Sequence, residues 1–452
     1  MRPTVRFSDQ FSRRAVNQWL NVLQSRFSIR RILACTAAVL FDPVEILQCL
    51  IQTPSVNPMG RDVAGPEYGE SRLTNRLVEL CQQQGWPWLR LPVHPGRDNL
   101  LARVEGAPSP QDGGELLLWD VHQDTVPADG MTVEPFAGEK RDGRVYGRGA
   151  CDVKGSMAAM LAALSRVSES AEPSPGPFLK GRGIRTARPT IVLACTVNEE
   201  CGYTGAQHLS RLWGAVPVSL EFLSRRPDAA IVAEPTGLNV VVAHQGQVRW
   251  RCHTMGRAAH TSRPDAGINA IYAMSRIVLA VEQYHAQLRT EAALHPLCGR
   301  PSVCVSTIHG GVAINTVPEK ATIEIDRRLA PGESPEAAYK ALVSHIDENV
   351  DLRGCRVQHD PPFMQSVGLS DDSNHALAER LAGVVREHGR PSELVGVPFG
   401  TDAAAISAAG VPTVVFGPGS IDQAHTADEF ISIDELQAAT DIFHRIARDG
   451  LR

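Results

Sequence analysis

Apolar and polar positions along the chain follow two different periods, and their order predicts an α/β protein. Apolar residues recur at helical spacing over residues 42–52 and 70–85, and the second of these segments ends at Gly85, a typical helix terminator. Short continuous apolar runs at 116–119, 190–196 and 229–232 are typical of strands buried on both faces. We therefore expect a sheet flanked by helices, with a closing helix at 433–449.

The pattern changes in the middle of the chain. Strands are predicted at 247–254, 302–309, 320–328 and 353–359, and helices at 267–287 and 335–348. This βαββαβ order is the ferredoxin-like arrangement. After residue 361 the first pattern resumes with a predicted helix at 374–388 and a strand at 413–416. We therefore expect one domain in two parts, 42–245 and 361–452, with an α+β domain inserted at 246–360.

Acidic residues and histidines follow several of the predicted strands. The residues concerned are His122, Asp124, Asp152, Glu199, Glu200, Glu234 and His425. A single residue of this kind is more often structural than functional. Carboxyl ends of strands in an open α/β sheet share one edge, and several carboxylates can crowd there only if a cation offsets their repulsion. Carboxylate and imidazole ligands without thiolate fit Zn²⁺, Co²⁺ or Mn²⁺, and two such ions about 3.5–4 Å apart form a hydrolytic centre.

Composition excludes some classes of protein. The formal net charge of −5 argues against a nucleic-acid partner, and no apolar run reaches the roughly 18 residues of a membrane span. The ten cysteines are dispersed without a CxxC pair, which favours a reducing, cytoplasmic location. Residues 1–41 are rich in arginine; we expect a poorly ordered extension, with a targeting or surface-binding arm as the alternative.

Eight segments carry a resemblance to a known family. They are VHQDTVP, YGRGACDVKG, NEECG, AEPTG, GRAAHTSRPDAGINAI, GGVAINTVPEKATIEIDRR, FGTDAA and FGPGSIDQAHTADE. From about residue 42 to its end, the sequence resembles the acetylornithine deacetylase / succinyl-diaminopimelate desuccinylase family of dinuclear zinc amidohydrolases, which includes carboxypeptidase G-like metallopeptidases. The resemblance implies a zinc-peptidase-like mixed sheet flanked by helices. It also implies that the inserted ferredoxin-like domain serves as a lid and as the dimerisation surface of a homodimer.

The same resemblance implies five ligands for two divalent metal ions, Zn²⁺ or alternatively Co²⁺ or Mn²⁺. Asp152 bridges both ions in this assignment. His122 and Glu234 complete the site of one ion, and Glu200 and His425 complete the site of the other.

Further roles follow from the resemblance. Glu199 is implied as the general base beside a metal-held neighbour, and Asp124 as the residue that orients His122. His260, in the inserted domain, is implied to stabilise the oxyanion of the reacting carbonyl, commonly in the active site of the partner subunit. Without the resemblance, His260 is an exposed loop histidine.

Two more residues, Asn315 and Arg328, match positions that contact substrate in the family. Arg328 is expected to bind a substrate carboxylate with two hydrogen bonds, which arginine does better than lysine. The alternative for Arg328 is a strand-end charge paired with Asp326. Gly400 and Thr401 are expected to contact substrate through backbone groups.

These expectations define a reaction. We predict hydrolysis of the amide bond of an N-acyl amino acid, with N-acetylornithine as the first substrate and a place in amino-acid biosynthesis. The alternatives within the class are a succinyl-diaminopimelate desuccinylase and a dipeptidase or carboxypeptidase acting on short peptides. Outside the class, a non-catalytic scaffold would not need every ligand and the base, and a nucleotide-binding protein would need a glycine-rich phosphate loop that the sequence lacks. The sequence departs from the family at Val121 and Ala233, where the family usually has glycine. These departures keep the metal ligands and leave the identity of the substrate unassigned.

Overall fold

The computed structural model describes residues 40–169, 187–213, 221–223 and 225–451. Residues 1–39 of the expected poorly ordered extension at 1–41 lie outside the described residues, and so does most of the loop at 172–189. Among the described helices, none combines the length and the apolar character that crossing a membrane requires.

An eight-stranded mixed sheet, the main sheet, organises the described chain. In order across the sheet, its strands are β1 (Trp88–His94), β2 (Arg97–Val104), β6 (Thr190–Thr196), β3 (Leu116–His122), β7 (Ala229–Val232), β15 (Thr413–Val415), β8 (Val240–His244) and β14 (Leu394–Val397). Strands β6, β3, β7 and β15 run parallel to one another. Their carboxyl ends therefore meet at one edge of the sheet, as the sequence predicted.

Helices cover both faces of the main sheet. They are α1 (Pro43–Ile51), α2 (Ser71–Gln84), α3 (Lys154–Glu169), α4 (Thr204–Ser210), α7 (His375–Glu387), α8 (Ala403–Ala408) and α9 (Ile433–Asp449). Side chains alternate along β3, so Trp119 and Val121 face the core under α3 and α9, whereas Leu118 faces the opposite core. Val121 is fully buried in the first of these cores, so a larger residue than glycine is accommodated there by packing.

A second sheet lies in the middle of the sequence and has its own core. It contains β9 (Gly246–Met255), β10 (Ser302–Gly310), β11 (Lys320–Leu329), β12 (Arg356–His359) and β13 (Met364–Ser366), and its helices are α5 (Ala270–Glu291) and α6 (Pro335–Asn349). The strand order β10-β11-β9-β12 with the chain order βαββαβ is ferredoxin-like. The fold class is therefore confirmed; the domain bounds at 245/246 and 360/361 stay a prediction.

A third, small sheet was not expected from the sequence. It joins β4 (Glu139–Arg141), β5 (Arg144–Tyr146) and β16 (Phe430–Ser432) in the order β16-β5-β4. Its strands have three residues each, too few to show a period. The sequence also missed β1, β8 and β14, and it ended β3 at residue 119, whereas the strand continues to His122.

Candidate metal centre

The main sheet brings the predicted metal ligands to one edge. His122 is the last residue of β3, and Glu234 follows β7 by two residues. Glu200 lies in the turn after β6, while Asp152 lies just before α3. His425 lies in the loop between β15 and β16, where its φ of 62° is uncommon for a residue other than glycine.

Two groups of ligand atoms form there, and they share Asp152. The inner triad is His122, Asp152 and Glu234, and the outer triad is Asp152, Glu200 and His425; within each, the ligand atoms lie within 4.8 Å of one another. Asp152 directs Oδ1 towards His122 Nε2 at 3.1 Å and Oδ2 towards His425 Nε2 at 3.3 Å. One carboxylate with an oxygen in each triad has the geometry that a bridging ligand requires.

The electrostatics of the triads show why a cation fits them. Burial raises the pKa of Glu234 well above its ordinary value, and the charge of Asp152 raises it further. Burial also raises the pKa of Glu200. Burial would raise the pKa of Asp152, but hydrogen bonds to His122 and His425 outweigh it and lower that pKa. The buried carboxylates thus repel one another, and divalent ions bound by these oxygen and nitrogen donors would remove the repulsion.

The outer triad is the more open of the two. The side chain of His425 is 49% exposed, whereas that of His122 is 2% exposed. Hydrogen bonds from His425 to Asp152 and Glu200 raise its pKa to about 10.

Asp124 holds two parts of the site. Its backbone carbonyl accepts a hydrogen bond from His122 Nδ1 at 2.8 Å, which leaves Nε2 to face the ligand position. Its carboxylate lies 3.8 Å from the same ring nitrogen. That distance is too long for a hydrogen bond. The two carboxylate oxygens accept hydrogen bonds from the backbone N–H groups of Glu199 and Glu200, each at 3.1 Å. The Asp124 carboxylate therefore fixes the turn that carries both glutamates.

Glu199 lies beside the triads without belonging to either. Its side chain is buried, and burial raises its pKa well above the ordinary value, with the charge of Glu234 as the next cause. A carboxylate next to a metal centre, free of metal and with a raised pKa, has the properties of a general base.

An ion pair between buried Glu70 and half-buried Arg97, which the sequence did not reveal, supports the same turn. Glu70 Oε1 accepts the backbone N–H of Asn198 at 3.1 Å, and the Glu70 carboxylate pairs with Arg97 through two hydrogen bonds. Asn57 Nδ2 donates to both Asp124 and Asn198. Glu70 lies directly before α2, and its side chain makes no capping hydrogen bond. In the sequence it resembles any acidic residue at the start of a helix, and only the structure shows its contact with the turn.

The predicted substrate contacts lie in two places. Thr401 is buried and donates from its hydroxyl to His244 Nε2 at 3.1 Å. A Cβ at Gly400 would lie 2.9 Å from the hydroxyl of Tyr203, so a side chain there would require that hydroxyl to shift. Arg328 Nη2 lies 3.1 Å from Asp326 Oδ2, the pairing that the sequence left open as the alternative.

His260 and Asn315 are close to each other but exposed. The backbone N–H of Thr261 donates to the Asn315 carbonyl at 3.2 Å, and the His260 ring contacts Ser262 Oγ at 2.8 Å. Both are on the surface of the second sheet's module. The His260 ring thus contacts a near neighbour in the sequence, while its backbone pairs with Thr316.

A cavity of about 300 Å³ lies between the main sheet and the second sheet's module. Tyr203 and Thr401 line it from one side, and Ser334 and Ser366 line it from the other. Gln247 donates to the Tyr203 hydroxyl at 2.5 Å across the same junction.

This fold and this arrangement of carboxylates and imidazoles define a class, the metal-dependent hydrolases that act on amide bonds. Residues 118–449 match the model of peptidase family M20/M25/M40, and the chain belongs to that family. Acetylornithine deacetylase of Photorhabdus laumondii is 31% identical over 396 residues, covering 86% of this chain and 92% of that protein.

Two solved structures share the fold. The M20 family metallo-carboxypeptidase of Sulfolobus solfataricus matches with a TM-score of 0.70 and 16% identity, covering 91% of this chain and 99% of that one. A dinuclear metal-binding peptidase of the M20 family from Bacillus subtilis matches with a TM-score of 0.61 and 15% identity, covering 90% of this chain and 96% of that one. The resemblance noted from the sequence is therefore confirmed, and the chain is an M20 metallohydrolase.

Proposed function

We propose that the enzyme removes the acyl group from an N-acyl amino acid, with N-acetylornithine as the first substrate, at a centre for two zinc ions. The observation that supports this most is the pair of triads sharing Asp152, with Glu199 buried beside them and outside both. The relative named acetylornithine deacetylase supports the choice of substrate.

Five residues would hold the metals. His122 and Glu234 would hold one ion, Glu200 and His425 would hold the other, and Asp152 would be shared by both. Zn²⁺ suits this donor set, and Co²⁺ or Mn²⁺ can replace it. When bound, two such ions would polarise the amide carbonyl and would lower the pKa of the attacking water to near neutrality.

Glu199 moves the protons. Its carboxylate takes a proton from the attacking water and then delivers that proton to the amide nitrogen, which leaves as a free amine. Asp124 keeps Glu199 at the correct position, because its carboxylate binds the backbone N–H of that residue at 3.1 Å.

The second sheet's module supplies substrate contacts in this proposal. Arg328 exchanges its Asp326 contact for the α-carboxylate of the substrate, and Asn315 contacts the substrate nearby. Gly400 and Thr401 contact it from the main sheet. His260 donates to the oxyanion after the module closes as a lid, either over its own active site or over that of a partner subunit.

We propose a homodimer formed through the second sheet's module. Its surface exposes Tyr272 and Leu279 on α5 and Ile308 on β10, an edge strand of that sheet; Val312 and Ile314 in the following loop are almost fully exposed. Large exposed apolar side chains grouped beside an open strand edge are typical of protein interfaces. The described cysteines are free thiols, which supports a cytoplasmic enzyme of amino-acid biosynthesis.

A substrate screen tests the proposal. Metal-free protein is reconstituted with zinc or cobalt and assayed against N-acetylornithine, N-succinyl-diaminopimelate and several dipeptides. We expect the highest kcat/KM with N-acetylornithine and up to two metal ions per chain by elemental analysis. Higher kcat/KM with the succinyl substrate or a dipeptide selects one of the alternatives, while full activity without metal contradicts the proposed centre.

A further inference from the structure

We infer that the buried Arg148–Glu429 ion pair has a positioning role: it holds the loops of the proposed metal centre in fixed positions relative to one another. Neither residue provides a ligand atom to the triads. The inference rests on the proposed dinuclear centre and assigns to this pair the task of fixing Asp152, the ligand common to both ions.

Glu429 is fully buried and uses both carboxylate oxygens. Oε1 accepts the backbone N–H groups of Cys151 and Asp152 at 2.9 and 3.0 Å. Oε2 accepts the backbone N–H of Gly149 at 3.0 Å and Arg148 Nη1 at 2.7 Å. Four donors from the five-residue segment 148–152 therefore converge on a single carboxylate, and one of them is the backbone N–H of Asp152, the proposed bridging ligand.

The small sheet sets this contact. Strands β5 and β16 pair with Phe430 opposite Tyr146, so the residue before β16 lies opposite the residue after β5. Gly147 accordingly donates its N–H to the backbone carbonyl of Glu429 at 3.0 Å. The same segment carries His425 four residues earlier, so the pairing fixes the Asp152 loop and the His425 loop relative to each other.

Arg148 extends the contact to a third loop. Its Nε donates to the backbone carbonyl of Pro127 at 3.1 Å, in the segment that follows His122 and Asp124. Only 3% of Arg148 is exposed. One ion pair therefore joins the loop that follows His122 to the loops that carry Asp152 and His425, although these ligands are far apart in the sequence.

The chemistry of the pair makes it sensitive to small changes. A buried carboxylate is stable only while its charge and lone pairs are satisfied, and here arginine and three backbone N–H groups satisfy them. A glutamine at position 429 would direct its NH₂ group at two donors. The loop would then have to move by enough to relieve that contact, and Asp152 would move with it.

The test measures zinc affinity as well as fold. For Glu429→Gln, we expect zinc binding to weaken about 10- to 100-fold, the usual effect of losing a partner behind a metal ligand. Affinity is measured by competition with a chromogenic chelator, and elemental analysis after dialysis gives ions per chain. Thermal unfolding of the metal-free protein shows separately whether the fold itself is weakened.

Glu333→Gln is the matched control. Glu333 accepts from Arg327 Nη2 at 2.9 Å and from the backbone N–H of Ala330 at 2.6 Å, the same chemistry in the second sheet's module. We expect wild-type zinc affinity for this variant, even if its unfolding temperature falls. Arg148→Lys is a milder second variant. It keeps the positive charge and loses the guanidinium group that binds Glu429 and the Pro127 carbonyl at the same time. We expect weaker zinc binding here too, with a folded metal-free protein.

The outcomes separate two failures. If Glu429→Gln and Arg148→Lys both bind zinc within twofold of the wild type, the positioning role is wrong. If Glu429→Gln fails to fold, the zinc affinity of folded Arg148→Lys decides the question in the same way. If the wild type itself binds no zinc, the proposed function fails instead.

Discussion

The two halves of the proposed active site are built in different ways. The metal half, formed by the two triads and Glu199, is mostly buried, and hydrogen bonds between distant segments hold it together. The substrate half lies in the second sheet's module and is formed by His260, Asn315 and Arg328. The side chains of His260 and Arg328 contact near neighbours in the sequence, such as Ser262 at 2.8 Å from the His260 ring. One chain brings together both candidate ligand triads, whereas the proposed role of His260 requires closure of the module or a partner chain.

The difference concerns what each half must do. Metal ligands must be held within a few tenths of an ångström, and residues at strand ends of a packed sheet provide that rigidity. Residues that close over a substrate must be free to move, and an exposed loop on a separate module provides that freedom. Variants in the metal half should therefore change the chemical step or metal content, and variants in the substrate half should leave metal content alone.

Glu199→Gln should have the largest effect. We expect kcat to fall by about 10²- to 10⁴-fold, since the side-chain amide of glutamine cannot accept the proton of the attacking water. Metal content should stay at the wild-type value, because Glu199 lies outside both triads. Elemental analysis with steady-state kinetics checks both expectations, and Glu200→Gln, which changes a ligand, should lose metal. An unchanged kcat would exclude Glu199 as the base.

His260→Ala tests the substrate half. We expect kcat to fall about 10²- to 10³-fold, as for the loss of one oxyanion donor, with normal metal content. Ser262→Ala is the control, since it removes the 2.8 Å contact of the ring and keeps the ring itself. A change in KM alone would mean that His260 binds substrate without acting in the transition state.

A pH titration compares a buried histidine of the main sheet with an exposed one of the second sheet. Burial lowers the pKa of His244 to about 4 from its ordinary value of 6.5. Between these values the unfolded chain binds the proton that the folded chain does not, so the free energy of unfolding falls as the pH drops from 6.5 to 4. The loss from this group is about 3 kcal/mol, at about 1.36 kcal/mol per pH unit of the shift.

His244→Gln should therefore flatten the pH dependence of stability in that range. The comparison uses urea unfolding of the metal-free proteins at several pH values. The acidic groups that both proteins share then contribute the same pH dependence, which cancels in the difference. His309→Gln, at an exposed position on β10, controls for the loss of a histidine. Parallel curves for the wild type and His244→Gln would contradict the expected role of burial.

Arg328→Lys should give the smallest effect. A lysine keeps the charge and loses the two-pronged contact with a carboxylate, so we expect KM to rise about tenfold with little change in kcat. Arg353→Lys, with a 75% exposed side chain in the same module, should leave KM unchanged. An equal KM for Arg328→Lys and the wild type would favour the structural pairing with Asp326.

The sequence could predict much of this because the signals are local. Apolar runs at 190–196 and 229–232 coincide with β6 and β7, and the acids after them lie where the carboxyl ends of parallel strands meet. The βαββαβ order of the second module was also readable from alternating strands and two amphipathic helices. The three-residue strands β5 and β16 carry no period and, unlike β15, no continuous apolar run, so the sequence did not predict them.

Only the tertiary structure showed which groups act together. The Asp124 carboxylate binds the turn of Glu199 and Glu200, while its backbone carbonyl holds the His122 ring. Glu429 contacts a loop 277 residues away in the sequence, and its role depends on the register of two very short strands. The chain's own pattern determined the elements and the ligand types, because periodicity and residue chemistry are local. Packing decided the partners, because buried charges take whichever donors the folded backbone brings within hydrogen-bonding distance.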